Sequence, residues 1–107
     1  MKPGDVMVGV LEGAVQTNVR PAVVIASATY LTERPYVLVG ILTTRPPKPP
    51  ASSDCSLRDW KAAGLRAESH FRAYVLTVNR SELTIIGHLG DRDWNKVKEC
   101  VGNAFAK

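Results

Sequence analysis

Four short apolar runs limit what this chain can fold into: Val6–Leu11, Ala22–Ile25, Val37–Leu42 and Leu83–Ile86. None approaches the roughly 20 apolar residues that a membrane helix needs. Valine and isoleucine dominate the central runs, as expected of buried strands. In the first run Val6, Val8 and Val10 alternate with Met7, Gly9 and Leu11. Both faces of that strand are therefore largely apolar, which requires a barrel or sandwich rather than an open sheet with one wet side. The expected strands are Val6–Leu11, Arg20–Ser27, Tyr36–Thr43, Ser69–Val78 (bent near Ala73) and Leu83–Leu89, where Gly87 marks a bulge or a close contact. Glu12–Val19 reads as a loop, Ala28–Pro35 as a connection and Asn79-Arg80-Ser81 as a turn. At the end, Asp91 is the expected N-cap after Gly90, and Asp93 suits the positive end of the helix dipole. Trp94, Val97, Val101 and Ala104, with Cys100 beside them, form one apolar stripe. The pattern predicts a mainly β domain over residues 1–107: a small SH3-like barrel of five to seven short strands with a C-terminal α-helix.

Hydrophobic residues make up 45% of the sequence, enough for a small core. The start, Met1-Lys2-Pro3-Gly4-Asp5, does not read as a signal peptide. Cys55 and Cys100 show no CxxC spacing, and His70 and His88 have no ligand-like spacing with them. A cytoplasmic protein without metal or cofactor, and without a membrane partner, is expected. The net charge is +4, unevenly spread. Between Arg34 and Arg80, eight Lys/Arg face three acids, Asp54, Asp59 and Glu68. Such an excess fits a polyanion-binding face as well as it fits a solvated basic surface.

Two polar groups stand at strand ends, where a sheet holds a side chain firmly while leaving it in reach of solvent. Arg20-Pro21 opens one strand, and Pro21 biases Arg20 towards an extended backbone. Thr43-Thr44-Arg45 closes the next. A guanidinium fork beside a hydroxyl makes a phosphate site. The run Arg45-Pro46-Pro47-Lys48-Pro49-Pro50-Ala51-Ser52-Ser53-Asp54 cannot join a sheet interior and predicts a stiff, basic, exposed loop. It suits a linker, a polyproline ligand or a wall on the substrate side, and its position directly after Thr43-Thr44 favours the last. Trp60 and Leu65 are expected to pin it to the core.

Taken in order, these segments resemble the MazF/PemK family of toxins from bacterial type II toxin–antitoxin systems. The resemblance rests on Gly4-Asp5-Val6, Arg20-Pro21-Ala22-Val23-Val24, Ile41-Leu42-Thr43-Thr44-Arg45, Asp59-Trp60 with Ala63-Gly64-Leu65, Thr77-Val78-Asn79-Arg80-Ser81, and Ile86-Gly87-His88-Leu89. It implies a homodimeric, metal-independent, sequence-selective endoribonuclease acting on single-stranded RNA. The products would carry 2′,3′-cyclic phosphate and 5′-hydroxyl ends. A cognate antitoxin would block the RNA groove, and operator DNA would be met only through the toxin–antitoxin complex.

The resemblance makes Arg20 and Thr43 the catalytic pair. Gln16, Thr17, Asn18, Thr44, Arg45 and Lys48 are the expected substrate contacts. Many relatives carry Glu-Gln where this chain has Val15-Gln16, and an acid where Arg72-Ala73-Tyr74-Val75-Leu76 has none. His70 is therefore weighed for proton transfer against a plain barrel-rim role. Two alternatives stay open: an attenuated relative that binds RNA or only its antitoxin, and a gyrase-binding toxin of the related CcdB type. The chain lacks the Trp-Gly-Ile ending of CcdB and closes on Phe105-Ala106-Lys107.

Overall fold

The computed structural model describes residues 1–12 and 17–106, except for the side chains of residues 12, 17 and 18. Six strands form one antiparallel sheet: β1 (Asp5–Glu12), β2 (Thr17–Val24), β3 (Tyr36–Thr43), β4 (Asp54–Ser56), β5 (His70–Asn79) and β6 (Thr84–His88). Their order is β4-β5-β3-β2-β1-β6. Hydrogen bonds do not join the sheet's two edge strands, β4 and β6. Helix α1 (Ala28–Glu33) links β2 to β3, and α2 (Asp91–Ala104) follows β6.

The alternation along the strands divides the core. Val6, Val23, Leu42 and Phe71 face α2, where they meet Val97 and Cys100. Their neighbours Met7, Ala22, Val24 and Ile41 face the other way, into a second cluster with Val37, Val39 and Leu31 of α1. Core clusters thus lie on both sides of β1 to β3, while Val10 of β1 and Val19 of β2 stay exposed. Two glycines make the packing possible. A Cβ on Gly40 would come within 2.4 Å of the Phe71 ring, and one on Gly87 within 1.9 Å of the Ala63 carbonyl oxygen. Gly87 also adjoins a register shift between β1 and β6, so it serves both purposes expected of it.

Several elements differ from the expectation. Residues 28–33 are helical: the Ser27 hydroxyl accepts the Tyr30 N–H, the Thr32 hydroxyl donates to the Ala28 carbonyl, and Leu31 is buried. So short a helix carries little periodicity, and its stability comes from packing. β2 begins at Thr17 and ends at Val24, three residues earlier at each end than the apolar run suggested. β4 was not expected, because a three-residue strand after a proline loop has no pattern to detect. The turn at Asn79-Arg80-Ser81 is the start of a 3-10 helix, Arg80–Glu82, capped by the Asn79 side chain. The N-cap of α2 is Gly90 rather than Asp91, and it makes no side-chain bond. Asp93 has a larger task than complementing a dipole. Buried to 2% exposure, it accepts the backbone N–H groups of Arg58 (2.9 Å) and Asp59 (2.8 Å), tying α2 to the segment after β4. Trp60 and Leu65 pack on the core there, as anticipated, whereas Ala104 at the end of the stripe is exposed.

Candidate active site

The site is built from strand register. The β2–β3 ladder ends at the pair Ala22–Ile41, and Arg20 and Thr43 each stand two residues beyond it, on the same face as Ala22 and Ile41. The β3–β5 ladder pairs Thr43 with His70, and the β4–β5 ladder pairs His70 with Ser56. Thr43, His70 and Ser56 therefore form one row across β3, β5 and β4, with Arg20 on the adjoining strand β2. Directly opposed residues bring their Cβ atoms to about 5 Å. Residues 23 apart in sequence become neighbours because β2 and β3 are adjacent.

Arg20 and Thr43 line the same open cavity, of about 720 Å³. The Arg20 Nε is buried and has no hydrogen-bond partner among the described residues. Buried donors are rarely left so, and the cost of an unmet one is about 1–3 kcal/mol. The Thr43 hydroxyl oxygen accepts the Arg45 N–H at 3.2 Å, which turns the chain out of β3 and keeps the hydroxyl hydrogen free to donate. The proline loop forms one wall and brings Arg45 and Lys48 to the cavity. No ion pair among the described residues reaches Arg20, Arg45, Lys48 or Arg72. Four cations against a single lining carboxylate, Asp54, leave the cavity positively charged.

The sequence-stated contacts separate into three groups. Arg20, Thr43, Arg45 and Lys48 come together. Thr44, in the bend just after β3, is exposed and does not line the cavity. Gln16 lies outside the described residues, as does Val15, and Thr17 and Asn18 open β2 with side chains outside the description. His70 adjoins Thr43 but is only 8% exposed, is hydrogen-bonded through Nδ1 to Ser56 Oγ at 2.8 Å, and is not a lining residue.

Among the lining residues, Arg72, Ala73 and Tyr74 went unforeseen, and Asp54 was expected only as the end of the proline loop. Ala73 and Tyr74 are the unpaired residues of a register shift in which β3 steps from Gly40 to Ile41 while β5 steps from Val75 to Arg72. A bulge re-aims side chains at such a point. The bend expected near Ala73 was the visible trace of it. Asp54 depended on β4, which no pattern signalled. The basic excess of the middle segment is only partly spent here. Arg80 donates to the carbonyls of Leu31, Arg34 and Pro35 at the end of α1. Among the described residues no group of three His, Cys, Asp or Glu is placed to hold a metal ion, and no helix is long and apolar enough to cross a membrane.

A family model described as the PemK-like, MazF-like toxin of type II toxin–antitoxin systems matches residues 2–105. No curated protein matches the chain in sequence. Among solved structures, it is similar to an endoribonuclease in complex with its cognate antitoxin from a Mycobacterial species, at a TM-score of 0.80 and 16% identity over 97% of this chain and 93% of that one. It is also similar to the Mycobacterium tuberculosis toxin MazF-mt6, at 0.75 and 19% over 94% and 95%. A MazE–MazF structure from Deinococcus radiodurans follows at 0.73 and 14%, over 97% and 94%. At such identities the likeness is one of fold.

Proposed function

Since the chain belongs to the PemK-like, MazF-like toxins of type II toxin–antitoxin systems, we propose that it is an endoribonuclease that cuts single-stranded RNA without a metal, in the cytoplasm. The observation that carries this reading is the pairing of Arg20 and Thr43 in one cationic cavity, with the Arg20 Nε unpartnered. The substrate's 2′-oxygen attacks the adjacent phosphorus. The P–O2′ bond forms as the P–O5′ bond breaks; a proton leaves the 2′-oxygen and one is taken up at the 5′-oxygen. The ends are a 2′,3′-cyclic phosphate and a 5′-hydroxyl. Between them lies a five-coordinate phosphorus carrying two negative charges. Arg20 stabilises it with directed, charged donors, and the Thr43 hydroxyl adds one more. Arg20 is too basic to act as an ordinary general base, so its contribution is charge stabilisation. Arg45, Lys48 and Arg72 hold the flanking phosphates.

The partners follow from the same reading: a cognate antitoxin that covers the cationic cavity, and a second copy of the chain. The homodimer buries an apolar strand face. Val10 and Val19, cross-strand partners on β1 and β2, are 63% and 71% exposed and offer one. Light scattering is expected to give twice the 11.6 kDa chain mass, and a monomer at micromolar concentration would remove this element.

The decisive experiment is cleavage of a mixed single-stranded RNA in excess EDTA by wild type and Arg20→Ala, with analysis of the 3′ ends. Cyclic-phosphate ends produced by wild type, and reduced about 10²–10³-fold in the variant, are expected. Absence of cutting by folded wild type would leave a binding relative; cutting that is indifferent to Arg20 would place the chemistry elsewhere.

A further inference from the structure

The cavity contains a group that a phosphate track does not require. Asp54 is its one carboxylate among the described lining residues, standing among Arg20, Arg45, Lys48 and Arg72. A carboxylate repels phosphate, so it weakens a site meant only for the RNA backbone. Nor is its charge taken up within the protein. Arg72 is its direct partner in the β4–β5 register, yet no ion pair joins them or joins Asp54 to any other described cation. Its Oδ2 accepts the Ala51 N–H at 3.0 Å, and no other hydrogen bond reaches the carboxylate among the described residues. Half-buried on an edge strand, Asp54 retains acceptor capacity beside the cationic wall.

We propose that Asp54 is a specificity residue that reads a nucleobase of the RNA near the cut, selecting bases whose edge presents N–H donors. The inference rests on the RNA-cutting reading above. An ionised carboxylate accepts and never donates. Guanine suits it best, because N1–H and the N2 amino group are adjacent donors matching its two oxygens. Cytosine and adenine each offer one amino group. Uracil offers two carbonyl oxygens beside a single N3–H and is disfavoured. Single-stranded RNA exposes these edges, since its bases are unpaired and can be splayed out. The sheet order β4-β5-β3-β2 sets Asp54 three strands away from Arg20 on the wall of the same cavity. That placement suits a base flanking the phosphate held at Arg20. The cations hold the backbone and Asp54 distinguishes the base, the division of labour general to nucleic-acid recognition.

The competing role for Asp54 is to close the turn at residues 51–54, where its own N–H also donates to the Ala51 carbonyl. Asp54→Asn separates the two. It keeps an oxygen for the Ala51 N–H and replaces the other acceptor with a donor. The test uses 2′-fluoro oligoribonucleotides, which lack the attacking hydroxyl and stay intact, with each base in turn at every position of a fixed context. Binding to wild type and Asp54→Asn is measured by fluorescence anisotropy at one salt concentration. At one position wild type should prefer guanine over uracil by about 5–150-fold, the range of a good base contact. Asp54→Asn should reduce that ratio to within about 2-fold, with an unchanged circular dichroism spectrum, and Asp54→Glu should restore a donor preference. No base preference in wild type, or the same preference in Asp54→Asn, overturns the proposal. Binding with the expected preference, but no cutting of unmodified RNA, would retain Asp54 as a base reader and reject the nuclease reading. Failure of wild type to bind any oligonucleotide would reject both.

Discussion

Beneath α2, the Asp93 carboxylate uses both oxygens on backbone N–H groups of the segment after β4. In the cavity, the Arg20 Nε is buried and unpartnered, and the cations around it lack ion pairs among the described residues. The contrast extends further. On the α2 side Arg92 donates twice to Asp59, both at 2.7 Å, and at the start of β1 His88 Nδ1 donates to Asp5 at 2.9 Å. One region meets its polar groups internally; the other leaves them for something outside the chain. A fold that satisfies its buried polar groups elsewhere has placed its unmet donors at one location, and that location is where a ligand is expected.

Reciprocal substitutions test the comparison most severely. Arg20→Ala should lower cleavage by about 10²–10³-fold and leave the urea midpoint nearly unchanged, because no internal partner is lost. Asp93→Ala should do the reverse. It removes two charge-assisted hydrogen bonds to part-buried backbone N–H groups, so stability should fall by about 3 kcal/mol while cleavage by the folded fraction persists. If Arg20→Ala unfolded the protein, or Asp93→Ala abolished cleavage at full folding, the two regions would not be separable.

His70 lies on the boundary, adjoining Thr43 but bonded to Ser56. His70→Ala should cost about 1 kcal/mol through the lost hydrogen bond, and change the cleavage rate by less than about 10-fold. A rate loss equal to that of Arg20→Ala, with the pH profile altered, would instead assign it proton transfer.

The smallest effects concern pH. The Arg92 guanidinium, donating to Asp59, holds that carboxyl below the usual carboxylate range. This contribution is present above the ordinary carboxyl pKa and lost as pH falls through the depressed one, so acid titration of Asp59→Asn should show a slightly shallower loss of stability. Cys55 behaves oppositely. Burial, then hydrogen bonding to Cys100, pushes its thiol from 9.0 up to about 12. Its contribution is present below pH 9.0 and lost as pH rises towards about 12, because the unfolded thiol ionises first. Cys55→Ala should flatten the alkaline limb of the urea midpoint; an unchanged limb would dismiss this cause.

The sequence by itself pointed to five to seven strands, the two-faced β1, the terminal helix, and Arg20 and Thr43 as polar residues at strand ends. These rest on local signals: alternation, β-branched composition, proline and glycine, and motif order. The tertiary structure decided the rest. The row Thr43–His70–Ser56, with Arg20 on the adjoining strand, exists only because β2, β3, β5 and β4 are adjacent in that order. Arg72 and Tyr74 reach the cavity through a one-sided register shift, and Asp54 through a strand too short to leave a pattern. The use of Asp93 as a backbone acceptor 34 and 35 residues away was equally invisible. Periodicity reports which face of an element is apolar; it does not report which elements become neighbours, and neighbours decide which polar groups are satisfied and which remain free for a ligand.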